Sequence, residues 1–166
     1  MELEHFFRDA IHISDQALLD QVADQAQMVH IKKGQLLIRQ GEGQTQVYFL
    51  IKGILRGYFL DAKGRDITDC FVFVCGAPAM PGFELGESAP INIEAITDSD
   101  LVSLPLSLIQ ELLDHNDDAV RLYAQLVLDS AKRHWEIKTV LYQYTATQKY
   151  QWFLENYPEL IRHVSG

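Results

Sequence analysis

The interval between apolar positions changes three times along this chain. Over residues 14–28 it is helical, with Leu18, Leu19, Val22 and Ala26 on one stripe. Ser14 stands where an N-cap belongs, and Ile13 and Leu18 are placed to close a hydrophobic staple. From Val29 the interval shortens to that of strands. Val29 with Ile31, residues 36–38, the unbroken apolar run 47–51, residues 56–60, 66–74 and 101–104 all read as strands, as does the alternation of Ile91, Ile93 and Ala95 against Asn92, Glu94 and Ile96. Lys33-Gly34, Gly41-Glu42-Gly43 and Asp61-Ala62-Lys63-Gly64 punctuate them as turns, the last a hairpin. Gly53, just ahead of Ile54 and Leu55, predicts a bend or a close backbone approach. Residues 75–89 have no period and hold Gly76, Gly82, Gly86, Pro78 and Pro81. An irregular loop of that length usually has a use.

Helical spacing returns after Pro105, first in a short amphipathic segment with Leu108, Ile109, Leu112 and Leu113, then in a long helix capped by Asn116, Asp117 and Asp118. The long helix runs from Ala119 to about Tyr144 and carries two apolar stripes. Val120, Tyr123, Val127, Ser130, His134, Ile137, Leu141 and Tyr144 step by three and four residues, as a coiled-coil seam does; Ala119, Leu122 and Leu126 belong to the other stripe. Two stripes ask for two partners, the chain's own core and a second copy, so a homodimer is expected. Thr145 with Gln148 forms a capping box that opens a further helix over residues 146–157, stopped at Pro158. A roll of short strands feeding a long helix is the build of a ligand-sensing module, because the helix can touch both the roll's mouth and a partner.

At 166 residues the chain suffices for one independently stable core. No run approaches the roughly 20 apolar residues of a membrane span, and Glu2 and Glu4 make the start unlike a secretory signal. A cytoplasmic protein with no membrane partner is expected. Cys70 and Cys75 lie five apart in a β-rich region, which sets them on opposite faces and argues against a disulfide. Lys and Arg number 14 against 23 Asp and Glu, a net charge of −9, so this surface repels a phosphate backbone. His5, His12, His30, His115, His134 and His163 are scattered without metal-ligand spacing, and no nucleophile motif or phosphate loop occurs. No catalytic residue, metal or cofactor is assigned, and the chain reads as a non-enzyme.

Lys33-Gly34-Gln35 with Ile38, Gly41-Glu42, the run Val47-Tyr48-Phe49-Leu50-Ile51-Lys52-Gly53, Gly64, Ile93-Glu94-Ala95 and Asp98-Ser99-Asp100-Leu101 occur in an order and spacing that resemble the Crp/Fnr-type bacterial transcription regulators. The resemblance implies an α+β fold: an antiparallel, cyclic-nucleotide-binding-like β-roll (a double-stranded β-helix or jelly roll) with N-terminal helices and a long C-terminal dimerisation helix. It divides the chain into residues 1–115 for the N-terminal helix and roll, 116–144 for the dimerisation helix, and 145–166 for the helix after the hinge. In the family, DNA is reached through a winged helix-turn-helix that would begin just beyond His163 and is absent from this chain.

The same resemblance locates a candidate effector site. Family members that bind cyclic nucleotides carry a Gly-Glu-Leu element, then an Arg-Ser or Arg-Thr pair whose guanidinium forks onto the cyclic phosphate. Phe83-Glu84-Leu85-Gly86 retains part of the first element, but Ala89 and Pro90 stand where the pair would be. Ala89 brings no charge, and Pro90 removes a backbone N–H. Weak or absent cyclic AMP binding is expected, with Arg39, Arg56 and Arg65 the candidate replacements. The implied effector-binding residues, for a small molecule of unknown identity, are Gly82, Phe83, Glu84, Leu85, Gly86, Glu87, Ala89 and Pro90 from the loop and Arg133, His134 and Trp135 from the long helix. Trp135 either fills the pocket from the helix side or packs at an interface. Two other functions stand beside the sensor: a cupin-like metal-dependent enzyme, which would need a His-x-His cluster that is missing, and a structural dimerisation module whose roll is filled by its own side chains.

Overall fold

Strand-period segments alternate between two faces, and the structure gives each face its own cover. The structure is a computed structural model and describes residues 3–82 and 84–163. In order these form α1 (Leu3–Asp9), α2 (Gln16–Gln25), β1 (Gln27–Ile31), β2 (Leu36–Ile38), β3 (Gln46–Lys52), β4 (Leu55–Leu60), β5 (Asp66–Val72), β6 (Asn92–Ala95), β7 (Ser99–Pro105), α3 (Leu106–His115), α4 (Asp117–Gln143), α5 (Ala146–Asn156) and α6 (Pro158–His163). All strand pairing is antiparallel, in one sheet ordered β1-β7-β3 and a second ordered β2-β6-β4-β5.

Two apolar clusters explain why β3 and β7 lack a polar face. Val47, Phe49, Val102 and Leu104 turn outward onto α1, α2 and α3 and pack with Phe6, Phe7, Leu18, Leu19, Leu108 and Leu112. Leu50 and Leu101, of opposite parity, turn inward and meet Ile31, Ile38, Leu55, Ile93 and Ala95 from the other sheet. A sheet covered on both sides has to be apolar on both sides. The second sheet is covered only inside the roll, so β4 buries Leu55 and Gly57 but leaves Arg56 and Tyr58 part-exposed.

Several boundaries differ from the sequence reading. The cap of α2 is Asp15 rather than Ser14: its carboxylate accepts the Leu18 N–H at 2.8 Å. α2 also ends at Gln25, because the chain is drawn into ladder pairing with β7 from Gln27 onward. α1, only seven residues long, is too short to show a period, yet Phe6 and Phe7 are among the most buried side chains. α5 stops just short of Pro158, as the sequence predicts, but Pro158 itself opens a further helix, α6, its fixed φ suiting the first position. The Asn116 cap, with its side chain accepting from Ala119 N–H at 2.9 Å, and the Thr145–Gln148 capping box are both present.

α4 lies against its own chain along much of its length. Ala119, Leu122 and Leu126 join the helical core, Ile137 and Val140 are buried, and Lys138 Nζ sits 3.6 Å from Asp69 in the middle of β5. α5 and α6 fold back beside it: the Tyr157 ring meets Phe73 edge-on at 4.8 Å, and its hydroxyl donates to Glu136 at 3.2 Å. The seam read from the sequence is therefore divided. Val120, Leu141 and Tyr144 are exposed, Tyr123, Val127, Ser130 and His134 are half-buried, and Ile137 is buried within its own chain. The large apolar side chains most open to solvent on α4 are Leu128, Trp135 and Tyr142, at 48%, 72% and 82%.

Both thiols are free. Cys70 abuts Gly57, where an added Cβ would lie 2.5 Å from its Sγ, and burial, reinforced by Asp69, pushes its pKa up to about 11. Cys75 is exposed. Alkylation at pH 8 is expected to label Cys75 first and Cys70 about 100-fold more slowly or only on unfolding, as peptide mapping would show. Equal rates would mean that β4 and β5 open readily.

Candidate functional site

Residues 75–90, aperiodic in sequence, are held at both ends by backbone pairing. Gly76 turns the chain at φ +85°, where a side chain would collide with the Ala10 carbonyl at 2.6 Å. The segment then runs along β3: Leu50 N–H donates to Ala77 at 3.0 Å and Ala79 N–H to Tyr48 at 2.8 Å. Its far end is fastened to the turn between β2 and β3, where Ala89 N–H donates to Glu42 at 2.9 Å and Gly41 N–H to Ala89 at 2.8 Å. Between these attachments the loop arches away and leaves a cavity of about 310 Å³.

Ile38, Val47, Ala79 and Leu106 contribute apolar lining to that cavity, together with Met80, Pro81, Leu85 and Pro90 of the loop. Its polar lining is Gln44, Gln46, Glu84, Glu87 and Ser88; among the described residues no lysine, arginine or histidine lines it. Glu84 hydrogen-bonds to and repels Glu87, which holds the Glu87 carboxyl above the usual carboxylate range. Gly86, at φ +89°, brings the loop onto α3: a Cβ there would lie 3.4 Å from Gln110 Nε2 and 3.8 Å from Leu106.

Of the sequence-derived candidates, Gly82, Glu84, Leu85, Gly86, Glu87 and Pro90 line the cavity together. Phe83 lies outside the described residues. Ala89 is 2% exposed and packs in the roll's inner core with Ile38 and Ile93 rather than on the cavity wall. Arg133, His134 and Trp135, on α4, are not part of the lining; Arg133 faces the Tyr157 hydroxyl, and Trp135 is open to solvent. The sequence reading missed Ile38, Gln44, Gln46, Val47, Ala79, Met80, Pro81, Ser88 and Leu106. Only the two-residue spacing of Gln44 and Gln46 ahead of an apolar strand hinted at a polar rim.

The three arginines considered as replacements for the missing guanidinium are each engaged elsewhere. Arg39 pairs with Glu42 at 3.4 Å and Arg65 with Asp61 at 2.7 Å. Arg56 projects from the face of β4 opposite Leu55 and Gly57, its Nε 2.6 Å from Glu94 and its fork 2.9 and 2.6 Å from Asp66, with the guanidinium 4.5 Å from the Tyr58 ring centre. An anion at Arg56 would have to displace two carboxylates.

A family model for the cyclic nucleotide-binding domain matches residues 28–116. The transcriptional activator protein Anr of Pseudomonas protegens is 22% identical over 147 residues, covering 89% of this chain, which spans 59% of that relative's length. FixK2 from Bradyrhizobium japonicum superposes with a TM-score of 0.68 at 21% identity, over 85% of this chain and 68% of that one. The sensor domain of the transcriptional regulator DNR from Pseudomonas aeruginosa does so with a TM-score of 0.64 at 18% identity, over 87% of this chain and all of the other. With two antiparallel sheets closed into a roll, a stapled loop after β5 and a match across more than half its length, the chain belongs to the cyclic nucleotide-binding domain family, and regulators of the Crp/Fnr family are among the proteins it is similar to.

Proposed function

We propose that this chain is the sensor and dimerisation part of a Crp/Fnr-type transcription regulator, and that its roll responds to a small molecule other than cyclic AMP. The observation that carries the proposal is the chemistry of the loop. A cyclic phosphate needs a cation and free N–H donors, whereas this loop has a core-facing Ala89 whose N–H is already spent on Glu42, a proline, and two carboxylates. Losing a bidentate charge-assisted contact removes several kcal/mol, on the order of 100-fold or more in affinity. Calorimetric titration with cyclic AMP and cyclic GMP is expected to give no saturable heat at micromolar nucleotide. Micromolar binding of either would refute the proposal.

The route from loop to partner is short. Leu106 lines the cavity and is the first residue of α3, whose last turn leads through the Asn116 cap into α4. A ligand that repositions the loop on Leu106 and Gln110 acts on the helix whose outer face is free to meet a second copy. A further tie, the Phe73–Tyr157 contact, joins the junction of α5 and α6 to the residue after β5, just before the same loop begins. DNA binding by the whole regulator belongs to this proposal, since the chain covers only part of its curated relative. Among the described residues no helix is long and apolar enough to cross a membrane, and no three His, Cys, Asp or Glu side chains converge on a metal site.

A further inference from the structure

The cavity beneath the loop has a definite chemical bias. Its floor is apolar, its only ionisable lining side chains among the described residues are Glu84 and Glu87, and its neutral polar groups are amides and a hydroxyl. At about 310 Å³ it lies at the lower end of the range for small-molecule sites. The loop that walls it is fixed at both ends by backbone hydrogen bonds, so the cavity belongs to the fold rather than to a loose crossing.

We infer that this cavity takes a small amphiphilic cation, a primary ammonium on an apolar body, with the charged end between Glu84 and Glu87 and the body over Val47, Leu85 and Leu106. The inference rests on the sensor reading and gives its effector a class. Two carboxylates that line one small cavity, with no lysine, arginine or histidine among its described lining, repel one another when both are ionised. An ammonium supplies three donors and a compensating charge, and so lets both remain ionised. Gln44 and Gln46 offer side-chain carbonyls to the remaining N–H donors. A carboxylate or phosphate ligand meets only like charge, because Arg39, the basic side chain of the adjoining turn, is paired with Glu42. The ligand's apolar body would press on Leu106, the residue through which the cavity reaches α3.

The test compares three probes of one shape and different charge on the full chain: phenylbutylammonium, phenylbutanol and phenylbutanoate, each titrated by calorimetry. Phenylbutylammonium is expected to bind saturably and at least about 10-fold more tightly than the alcohol, with the carboxylate weakest. The double variant Glu84→Gln with Glu87→Gln is expected to bind ammonium and alcohol alike. Both side chains are exposed, so the variant should keep the parent's melting temperature, and its alcohol binding reports that the cavity is intact. Equal binding of ammonium and alcohol by the parent, a preference that survives the double substitution, or no binding by any of the probes overturns the inference. None of those results touches the sensor reading, which stands or falls on the nucleotide titration.

Discussion

Gly53→Ala is expected to remove about 2–5 kcal/mol of stability, a large part of the roughly 5–15 kcal/mol that a domain of this kind possesses. Two effects add. The backbone at Gly53 has φ +111°, which in an L-residue brings about 1–2 kcal/mol of strain. The new Cβ would also sit 2.2 Å from Ser99 Oγ and 2.8 Å from Ser99 Cα. The hydroxyl can rotate away, but the Cα belongs to the first residue of β7, a strand paired on both sides, and cannot. Gly34→Ala isolates the first effect: its φ is +84°, and nothing lies within 4 Å of the added Cβ. It should lose only the strain, partly offset by reduced freedom in the unfolded chain. Denaturant midpoints at unchanged slope measure both. Equal losses would show that strand β7 yields and that the close approach is unimportant.

The second large effect concerns the dimer. Leu128→Glu with Trp135→Glu is expected to yield monomers in sedimentation, weakening self-association by at least about 100-fold, equivalent to about 2.7 kcal/mol. The seam read from the sequence would instead be broken by Val127→Glu with Leu141→Glu. Intrachain packing separates the two. Ala119, Leu122, Leu126, Ile137 and Val140 define the side of α4 that its own chain occupies. Ala124, Leu128, Ala131, Trp135 and Tyr142 repeat at heptad spacing one residue further along than Tyr123, Val127, Ser130, His134 and Leu141. One residue is about 100° around the helix, so this is a distinct stripe. It also leaves the largest aromatic surface uncovered, with Trp135 and Tyr142 one heptad apart and both mostly in solvent. Two glutamates facing their symmetry mates combine lost burial with like-charge repulsion. Monomers from the Val127 and Leu141 pair alone would place the interface on that seam instead, and dimers from both variants would move it off α4.

Features whose cause lies within a few residues are legible in the sequence alone. The Asp61 turn is one: its carboxylate accepts the N–H groups of Lys63 and Arg65 at 2.8 and 2.9 Å, contacts that need nothing from elsewhere in the chain. The capping box at Thr145 and Gln148 and the Asn116 cap are of the same kind. The alternation in β4 and β6 is legible because one covered face imposes its period on the residues. Where both faces are covered, as in β3, periodicity is silent about which side chain meets the helices and which the roll.

Residue identity and short-range spacing were sufficient causes of the order of the strands and of α2 to α5, of the aperiodic loop between β5 and β6, and of the lack of a guanidinium at Ala89. Which residues share the cavity, and which stripe of α4 stays open, emerged only from the folded arrangement. Those depend on contacts such as Gly43 with Ser88, Asp69 with Lys138 and Phe73 with Tyr157, made between positions far apart in the chain. Local preference cannot encode them, because the energy of such a contact exists only after the intervening chain has folded and brought its two ends together.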